Sequence, residues 1–208
     1  KPLPLYVPED CKTLKEAVKR VHEDDRLTTI VVGRGEHQID DAYLGIPSAM
    51  NIVGDPGVPK EEIVVVGGIW FKKGIQGNCH LQHLTLRQAK VNGVCGESSF
   101  TMEDVLVEKC GWSGVTASGT GVVGRCTNVE VRQCEDSGVV ATNGASITLI
   151  GAKTTVHHNC TDGESDEYGL TVRQYGMSGM VEEENGTNGT NSSSTIQLIS
   201  PLTKEQVS

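Results

Sequence analysis

Four ionisable residues recur at intervals that a coiled β-structure would bring together. Arg87, Glu108, Arg132 and His157 are separated by 21, 24 and 25 residues. If each interval is one turn of a coil, their side chains lie about 5 Å apart on one outer face. In a catalytic interpretation, Glu108, Arg132 and His157 are the candidates, with His157 carrying a proton. Two flanking cations would lower the pKa of Glu108, which suits a ligand contact more than an acid.

The same row also has a structural interpretation. Alternating charges on stacked strands stabilise the stacking by about a few tenths of a kcal/mol per pair. Trp112 is either an exposed platform on which a sugar stacks or the packed cover of a turn. The residues expected to contact a ligand on or beside this face are Arg87, Lys109, Glu130, His158 and Trp112.

The sequence predicts no metal site and no cofactor. His80 and His83 are three residues apart on a predicted strand, so they are expected to point to opposite faces. Asp104 and Glu108 fall on different rows and make a poor cage for Ca²⁺, which is only a weak candidate. The acidic run 162–167 is interpreted as a loop of solvated charge.

A repeat positions these residues. The segments 81–86, 102–107, 126–131 and 151–156 align, and glycines follow them at the same offset: Gly93, Gly114, Gly138 and Gly163. Columns such as Leu84, Val105, Val129 and Thr154 are predicted to stack inside a coil of three short strands per turn. The glycines are expected to supply the left-handed backbone of the bends. The sequence Gly-Leu-Thr-Val at 169–172 resumes the repeat after an insertion.

Composition supports this architecture and excludes several classes. The chain has 208 residues, 25 glycines, 4% aromatic residues and a net charge of −9. So many glycines argue against a helical bundle, and an acidic chain argues against nucleic-acid binding. No apolar run reaches the length of about 18 residues that spans a bilayer, so no membrane partner is expected.

A capped helix precedes the coil, and a different kind of segment follows it. Thr13 and Glu16 form a capping-box pattern before an apolar stripe, which predicts a helix. We expect one domain over 1–208. Its parts are a helical cap at 11–25, coils at 28–180, a mobile low-complexity insertion at 181–194 and a final strand at 195–200.

These features resemble the right-handed parallel β-helix superfamily, the pectin-lyase-like fold with PbH1-type repeats. The opening at 13–21, followed by Ile30-Val-Val-Gly-Arg-Gly and Asn51-Ile-Val-Gly-Asp-Pro-Gly, is similar to the start of that fold. The resemblance covers about residues 11–180. It implies an all-β, single-stranded, right-handed parallel β-helix of about six to seven coils with an N-terminal capping α-helix.

The catalytic patterns of that superfamily do not carry over. The chain has no His-Gly and no Arg-x-Lys, its Asp-Asp pairs at 24–25 and 40–41 come too early in the coil, and Asp55-Pro56 is followed by Gly57. The sequence therefore favours a non-catalytic scaffold that binds a protein or glycan along a sheet face. The alternative is a carbohydrate-active enzyme (a lyase, epimerase or hydrolase) with an atypical site on the outer face.

Seven cysteines bear on the cellular compartment. Their number is odd, and no pair has the Cys-x2-Cys spacing of a zinc or redox site. Buried, reduced cysteines acting as small apolar residues are expected, as in the turn column that holds Cys110 and Cys134. The sequence thus favours an intracellular, cytoplasmic location.

Overall fold

The chain folds into a parallel β-solenoid of about six coils with one helix near its start. The computed structural model describes residues 3–162, 169–173 and 193–199. Within them, every strand pairing is parallel. The predicted all-β parallel β-helix with a helical cap is therefore confirmed.

Each coil contributes three strand segments, which come from two or three strands. In chain order, the strands of the described residues are β1 (Leu5–Val7), β2 (Thr29–Val32), β3 (Gly35–Ile46), β4 (Asn51–Gly54), β5 (Ile63–Phe71), β6 (Cys79–Arg87), β7 (Val94–Gly96), β8 (Phe100–Glu108), β9 (Val115–Ser118), β10 (Val123–Thr127), β11 (Glu130–Arg132), β12 (Val139–Thr142), β13 (Ser146–Ile150), β14 (Thr155–His157), β15 (Leu170–Arg173) and β16 (Thr195–Ile199).

Three sheets run along the solenoid. Sheet A contains β1, β2, β4, the first halves of β6 and β8, β10, β13 and β16. Sheet B contains the first halves of β3 and β5, the second halves of β6 and β8, β11 and β14. Sheet C contains the second halves of β3 and β5, with β7, β9, β12 and β15. The apolar core fills the space that the three sheets enclose.

The predicted interior columns are confirmed. Leu84 pairs with Val105, and Val107 pairs with Val131, which pairs with Val156. These five side chains are 1% exposed or less. Val, Leu and Cys suffice for this core because the interior between three stacked strands is narrow, so large aromatic side chains are scarce.

The helix α1 (Leu14–Glu23) closes the open end of the core. Its N-cap, Thr13, accepts a hydrogen bond from the backbone N–H of Glu16 at 3.1 Å, as the capping-box pattern predicted. The Glu16 carboxylate accepts in return from the backbone N–H of Lys12. The apolar stripe that begins at Leu14 and ends at Val21 is buried against the first coil.

The bends beside sheet B are made by residues other than glycine, so the prediction for the glycines at 93, 114 and 138 was wrong. Two columns of bend residues have φ between 52° and 56°. They are His83, Asp104 and Asn128 before sheet B, and Gln88, Lys109, Gln133 and His158 after it. Residues other than glycine rarely adopt this left-handed backbone conformation. The stacking of the coils must therefore hold these residues in it.

The glycine column serves close packing instead. A Cβ atom on Gly114 would lie 2.3 Å from Val131 Cγ1 and 2.7 Å from the carbonyl oxygen of Gly138. A Cβ on Gly138 would lie 2.4 Å from Val156 Cγ1 and 2.9 Å from the carbonyl oxygen of Gly169. The column therefore has no room for a side chain, because the corner between sheets B and C brings the backbones of adjacent coils against the core.

The last member of that column is Gly169. Val139 N–H donates to the Gly169 carbonyl at 3.0 Å, and β12 pairs with β15 from Leu170 onward. Gly163, the sequence-based candidate for this position, lies outside the described residues. So do most of the predicted insertion at 181–194 and the end of the predicted coils at 174–180. Of the predicted final strand at 195–200, the part at 195–199 forms β16, and residue 200 lies outside the described residues.

Candidate functional site

Sheet B places the predicted ionisable row on neighbouring strands. Arg87 pairs with Glu108, Glu108 with Arg132, and Arg132 with His157, as the spacing of the repeat predicted. Thus β6, β8, β11 and β14 each present one member on the outer face. The row is continuous over four coils.

Glu108 lies at the centre of this row and is only 3% exposed. Arg87 Nε donates to one carboxylate oxygen at 2.7 Å, and Arg132 donates to the other from Nε at 2.9 Å and from Nη2 at 2.8 Å. Burial by itself would raise the pKa of Glu108, but the hydrogen bonds from the two arginines hold it below its usual value. Both carboxylate oxygens are therefore occupied, and the group is kept ionised.

The network continues toward the end of the solenoid. Arg132 Nη1 donates to Glu130 at 3.0 Å, and His157 Nε2 lies 3.0 Å from the same Glu130 oxygen. His157 Nδ1 lies 2.7 Å from His158 Nδ1. Of the predicted site residues, Arg87, Glu108, Glu130, Arg132, His157 and His158 are thus brought together. We call this set the charged network.

Lys109, Trp112 and His158 are the predicted site residues that solvent reaches most readily. Lys109 and His158 occupy the left-handed bend that follows sheet B, and both are exposed. Trp112 lies in the same corner and is 54% exposed. Its backbone N–H donates to the Val91 carbonyl, so the loop that carries it is fixed to the preceding coil. We call these three exposed side chains the corner strip. His158 belongs to both sets, because it also contacts His157 of the charged network.

A second ionic cluster was missed by sequence reasoning. His83 Nδ1 lies 2.6 Å from Asp104 Oδ2, and Lys60 Nζ donates to Asp104 Oδ1 at 2.6 Å. His83 Nε2 donates to the Val58 carbonyl at 2.8 Å. Strand alternation predicts opposite faces for His80 and His83, but His83 itself adopts the left-handed bend. Only the alignment of His83 above Asp104 in the repeat could have indicated the pair.

This cluster fastens a loop and leaves no free group for chemistry. The loop between β4 and β5 lies over sheet B, where the Lys60 carbonyl accepts a hydrogen bond from the buried Thr85 hydroxyl at 2.9 Å. Burial alone would lower the pKa of His83, but its bonds to Asp104 and Val58 raise it. Burial would likewise raise the pKa of Asp104, but bonds from Lys60 and His83 lower it. Both imidazole nitrogens face acceptors, which favours the charged ring.

We expect the stabilisation from this cluster to depend on pH. The lowered pKa of Asp104 gives stability that is present above about pH 4 and is lost as the pH falls through the folded-state value. The raised pKa of His83 gives stability that is complete below about pH 6.5 and is lost as the pH rises through its folded-state value. Asp104→Asn should therefore cost the most between those limits, about 1 kcal/mol, since Asp104 is partly exposed.

The measurement is urea denaturation at pH 3, 5.5 and 9. The matched control is Glu103→Gln, which removes an exposed charge from the neighbouring position of the same strand. A difference between wild type and Asp104→Asn that stays constant with pH, or that the control reproduces, would show that the ionic cluster does not fasten the loop.

A groove near the helical cap was also missed. It has a volume of about 600 Å³ and lies between α1 and β3. Lys15 and Lys19 of α1 line one side, Tyr43 and Gly45 of β3 line the other, and Trp70 of β5 lies behind them. None of the charged network or the corner strip lines it. The first coil is the least regular copy of the repeat, so the aligned segments gave no signal for this groove.

Two classes of site find no support in the described residues. Within 3–162, 169–173 and 193–199, no group of three or more His, Cys, Asp or Glu side chains is arranged to hold a metal ion. No helix of that part of the chain is both long and apolar enough to cross a membrane. Cys11, Cys79, Cys95, Cys110, Cys126 and Cys134 are free thiols. Burial raises the pKa of Cys79 to about 11 and that of Cys126 to about 12.

Comparisons with known proteins add little. No protein-family model matches the chain, and no curated protein matches its sequence. The fold is similar to the catalytic domain of a GH87 α-1,3-glucanase solved in complex with tetrasaccharides, with a TM-score of 0.40 and 15% sequence identity. The match covers 95% of this chain, which spans 39% of the length of that domain. A likeness at this level carries no argument about function.

Proposed function

We propose that this β-helix is a non-catalytic recognition module that binds a protein or glycan along the outer face of sheet B. The observation that carries the proposal is the state of Glu108. It is the most central carboxylate of the candidate site, it is buried, and both of its oxygens are bound by arginine. Because two arginines neutralise this central acid, we assign Glu108 a structural role, in which it keeps the outer face of sheet B rigid.

Glu108, the central carboxylate of the charged network, lacks the properties that acid–base chemistry needs. A general acid needs a raised pKa, whereas the arginines lower that of Glu108. A nucleophile or base needs a free oxygen within reach of the substrate, whereas Arg87 and Arg132 occupy both oxygens. The alternative, a carbohydrate-active enzyme with an atypical site on this face, would require the substrate to displace an arginine from Glu108.

The corner strip supplies the contacts that recognition needs. Lys109 offers an unburied cation, His158 an exposed ring nitrogen, and Trp112 a large aromatic surface that binding can desolvate. The bends that carry Lys109 and His158 lie two coils apart, with the bend of Gln133 stacked between them: Lys109 N–H donates to the Arg132 carbonyl, and Gln133 N–H donates to the His158 carbonyl. Contacts held on a rigid coil lose little entropy on binding.

The binding test uses an immobilised panel of soluble polysaccharides and candidate partner proteins. For any ligand that the wild type retains, we expect Trp112→Ala and Lys109→Glu each to weaken binding by about tenfold or more. Lys73→Glu is the matched control, because it makes the same charge change at an exposed turn that follows sheet C. Retained ligands whose affinity none of the three variants alters would contradict a binding role for the corner strip.

A further inference from the structure

In the first coil of the solenoid, only the sheet A segment has a further strand paired with its outer edge. In sheet A, β1 pairs with the outer edge of β2. In sheets B and C, β3 pairs within the described residues with β5 alone, so its other edge is the end of both sheets. The helix α1 covers the core but supplies no strand there. The edge of β3 therefore presents backbone donors and acceptors without strand partners.

The part of this edge beside the groove is the segment from Tyr43 to Ile46. The Ile46 carbonyl accepts from Lys72 N–H at 3.1 Å, so Ile46 directs its backbone groups toward β5. Because backbone groups alternate in direction along a strand, Tyr43 and Gly45 direct theirs away from β5 and into the groove. The groove of about 600 Å³ separates α1 from these backbone groups.

The first half of β3 is protected against pairing, which limits any added strand to the second half. The register with β5 breaks between Gln38 and Tyr43, so the intervening residues form a bulge. Asp40 and Asp41 lie in this bulge and are exposed. Bulges and charges of this kind block edge-to-edge association, whereas Tyr43–Ile46 carries neither.

The groove is less acidic than the chain as a whole, because three lysines and two aspartates line it. Lys15, Lys19 and Lys72 line it together with Asp40 and Asp41, while the net charge of the chain is −9. Lys15 is paired with Asp41 at 3.0 Å. Lys72 forms no ion pair with any residue that the structure describes, and its ammonium lies 5.6 Å from the centroid of the Trp70 ring.

Gly45 connects the free edge to this lysine. Gly45 is the partner of Trp70 in the register of β3 with β5. A Cβ on Gly45 would lie 2.8 Å from Lys72 Cε, so the absence of a side chain at Gly45 lets the lysine side chain lie over the backbone of this edge strand. A side chain that enters from a strand beside β3 could cross Gly45 and reach both the ring and the ammonium.

We propose that an extended peptide with an acidic residue binds in this groove as an added strand on Tyr43–Ile46. Its backbone pairs with Tyr43 and Gly45, and its carboxylate crosses Gly45 to bind Lys72. This inference rests on the proposed function, for which it specifies a protein partner and a second binding surface. The mode of binding is strand addition, in which the backbone supplies affinity and alternate side chains supply specificity.

The probe is a fluorescent seven-residue peptide in which valine alternates with glutamate, measured by anisotropy. Peptides that alternate valine with lysine or with serine are the matched probes. We expect the glutamate peptide to bind at least about tenfold more tightly than the lysine peptide, and Lys72→Glu to reverse that order. Lys73→Glu should leave both affinities unchanged, because that residue does not line the groove.

Two further changes separate strand addition from simple charge attraction. Gly45→Val places a side chain suited to strands where the end of the Lys72 side chain now lies, so it displaces the ammonium and should weaken binding of the glutamate peptide about tenfold or more. It should leave the unfolding midpoint near that of wild type, because the contacting Lys72 Cε is at the flexible end of its side chain. Methylating alternate backbone nitrogens of the peptide should abolish binding in one phase of the alternation and spare it in the other.

The inference would be overturned if the three peptides bound equally or if both methylation phases caused equal losses. It would also be overturned if the wild type dimerised and Gly45→Val abolished the dimer, which would assign the edge to a second copy. If the glutamate peptide no longer bound Trp112→Ala but still bound Gly45→Val, the strand-addition inference would be wrong, while the proposed function would stand. Turnover of a polysaccharide would instead refute the proposed function and leave the peptide result to be judged separately.

Discussion

Replacing Glu108 with glutamine is expected to lower the free energy of unfolding by about 3 kcal/mol. The variant removes the negative charge that Arg87 and Arg132 share and leaves two guanidinium groups facing one neutral amide. Since Glu108 is 3% exposed, water cannot replace the lost interaction at the carboxylate. The arginines are partly exposed, which keeps the loss at the low end for a broken buried ion pair.

The measurement is urea denaturation at neutral pH, monitored by far-UV circular dichroism, which reports the β-structure of the whole solenoid. Glu130→Gln is the matched control, because Glu130 carries the same charge on the same sheet and is partly exposed. The control should lose less than about 1 kcal/mol. Equal losses in the two variants would mean that burial of Glu108 between the arginines contributes nothing special to stability.

Replacing Gly114 with alanine is expected to cost about 3 kcal/mol. The added methyl group would lie 2.3 Å from Val131 Cγ1, 2.7 Å from the Gly138 carbonyl oxygen and 3.3 Å from Cys134 Sγ. The valine could change rotamer, but the carbonyl belongs to the backbone ladder of the next coil and cannot move alone. The coils must therefore separate locally, and the stacking of sheet C must weaken.

The control for this substitution is Gly57→Ala. A Cβ there would meet only the side-chain oxygen Asp55 Oδ1, at 3.3 Å. It should change the free energy of unfolding by less than about 0.5 kcal/mol. If Gly114→Ala were as mild as the control, close packing between coils would not explain the glycine column.

The repeat made the charged network predictable. The aligned segments give the length of each coil, and equivalent positions of successive coils stack, so the row from Arg87 to His157 follows from the repeat. What a single sequence could not give was the local geometry of the bends. His83 lies at a left-handed position, whereas strand alternation assumes extended backbone, so alternation misplaced His83.

The irregular parts of the chain concealed the other two features. The loop that carries Lys60 is an insertion between β4 and β5, and its contact with Asp104 spans 44 residues, which no periodicity records. The groove arises because the first coil has a bulge in β3 and only one preceding strand, β1. Both depend on contacts between non-equivalent positions, and a repeat pattern informs only about equivalent ones.

The claim that matters most is that Glu108 holds the face together and performs no chemistry. Its most direct test is the proton NMR spectrum of soluble polysaccharides after long incubation with wild type and with Glu108→Gln, at a temperature where both are folded, because this spectrum reports epimerisation as well as cleavage. We predict that the spectrum is unchanged in both samples. The claim would be contradicted by products that the wild type releases and that Glu108→Gln, still folded, does not.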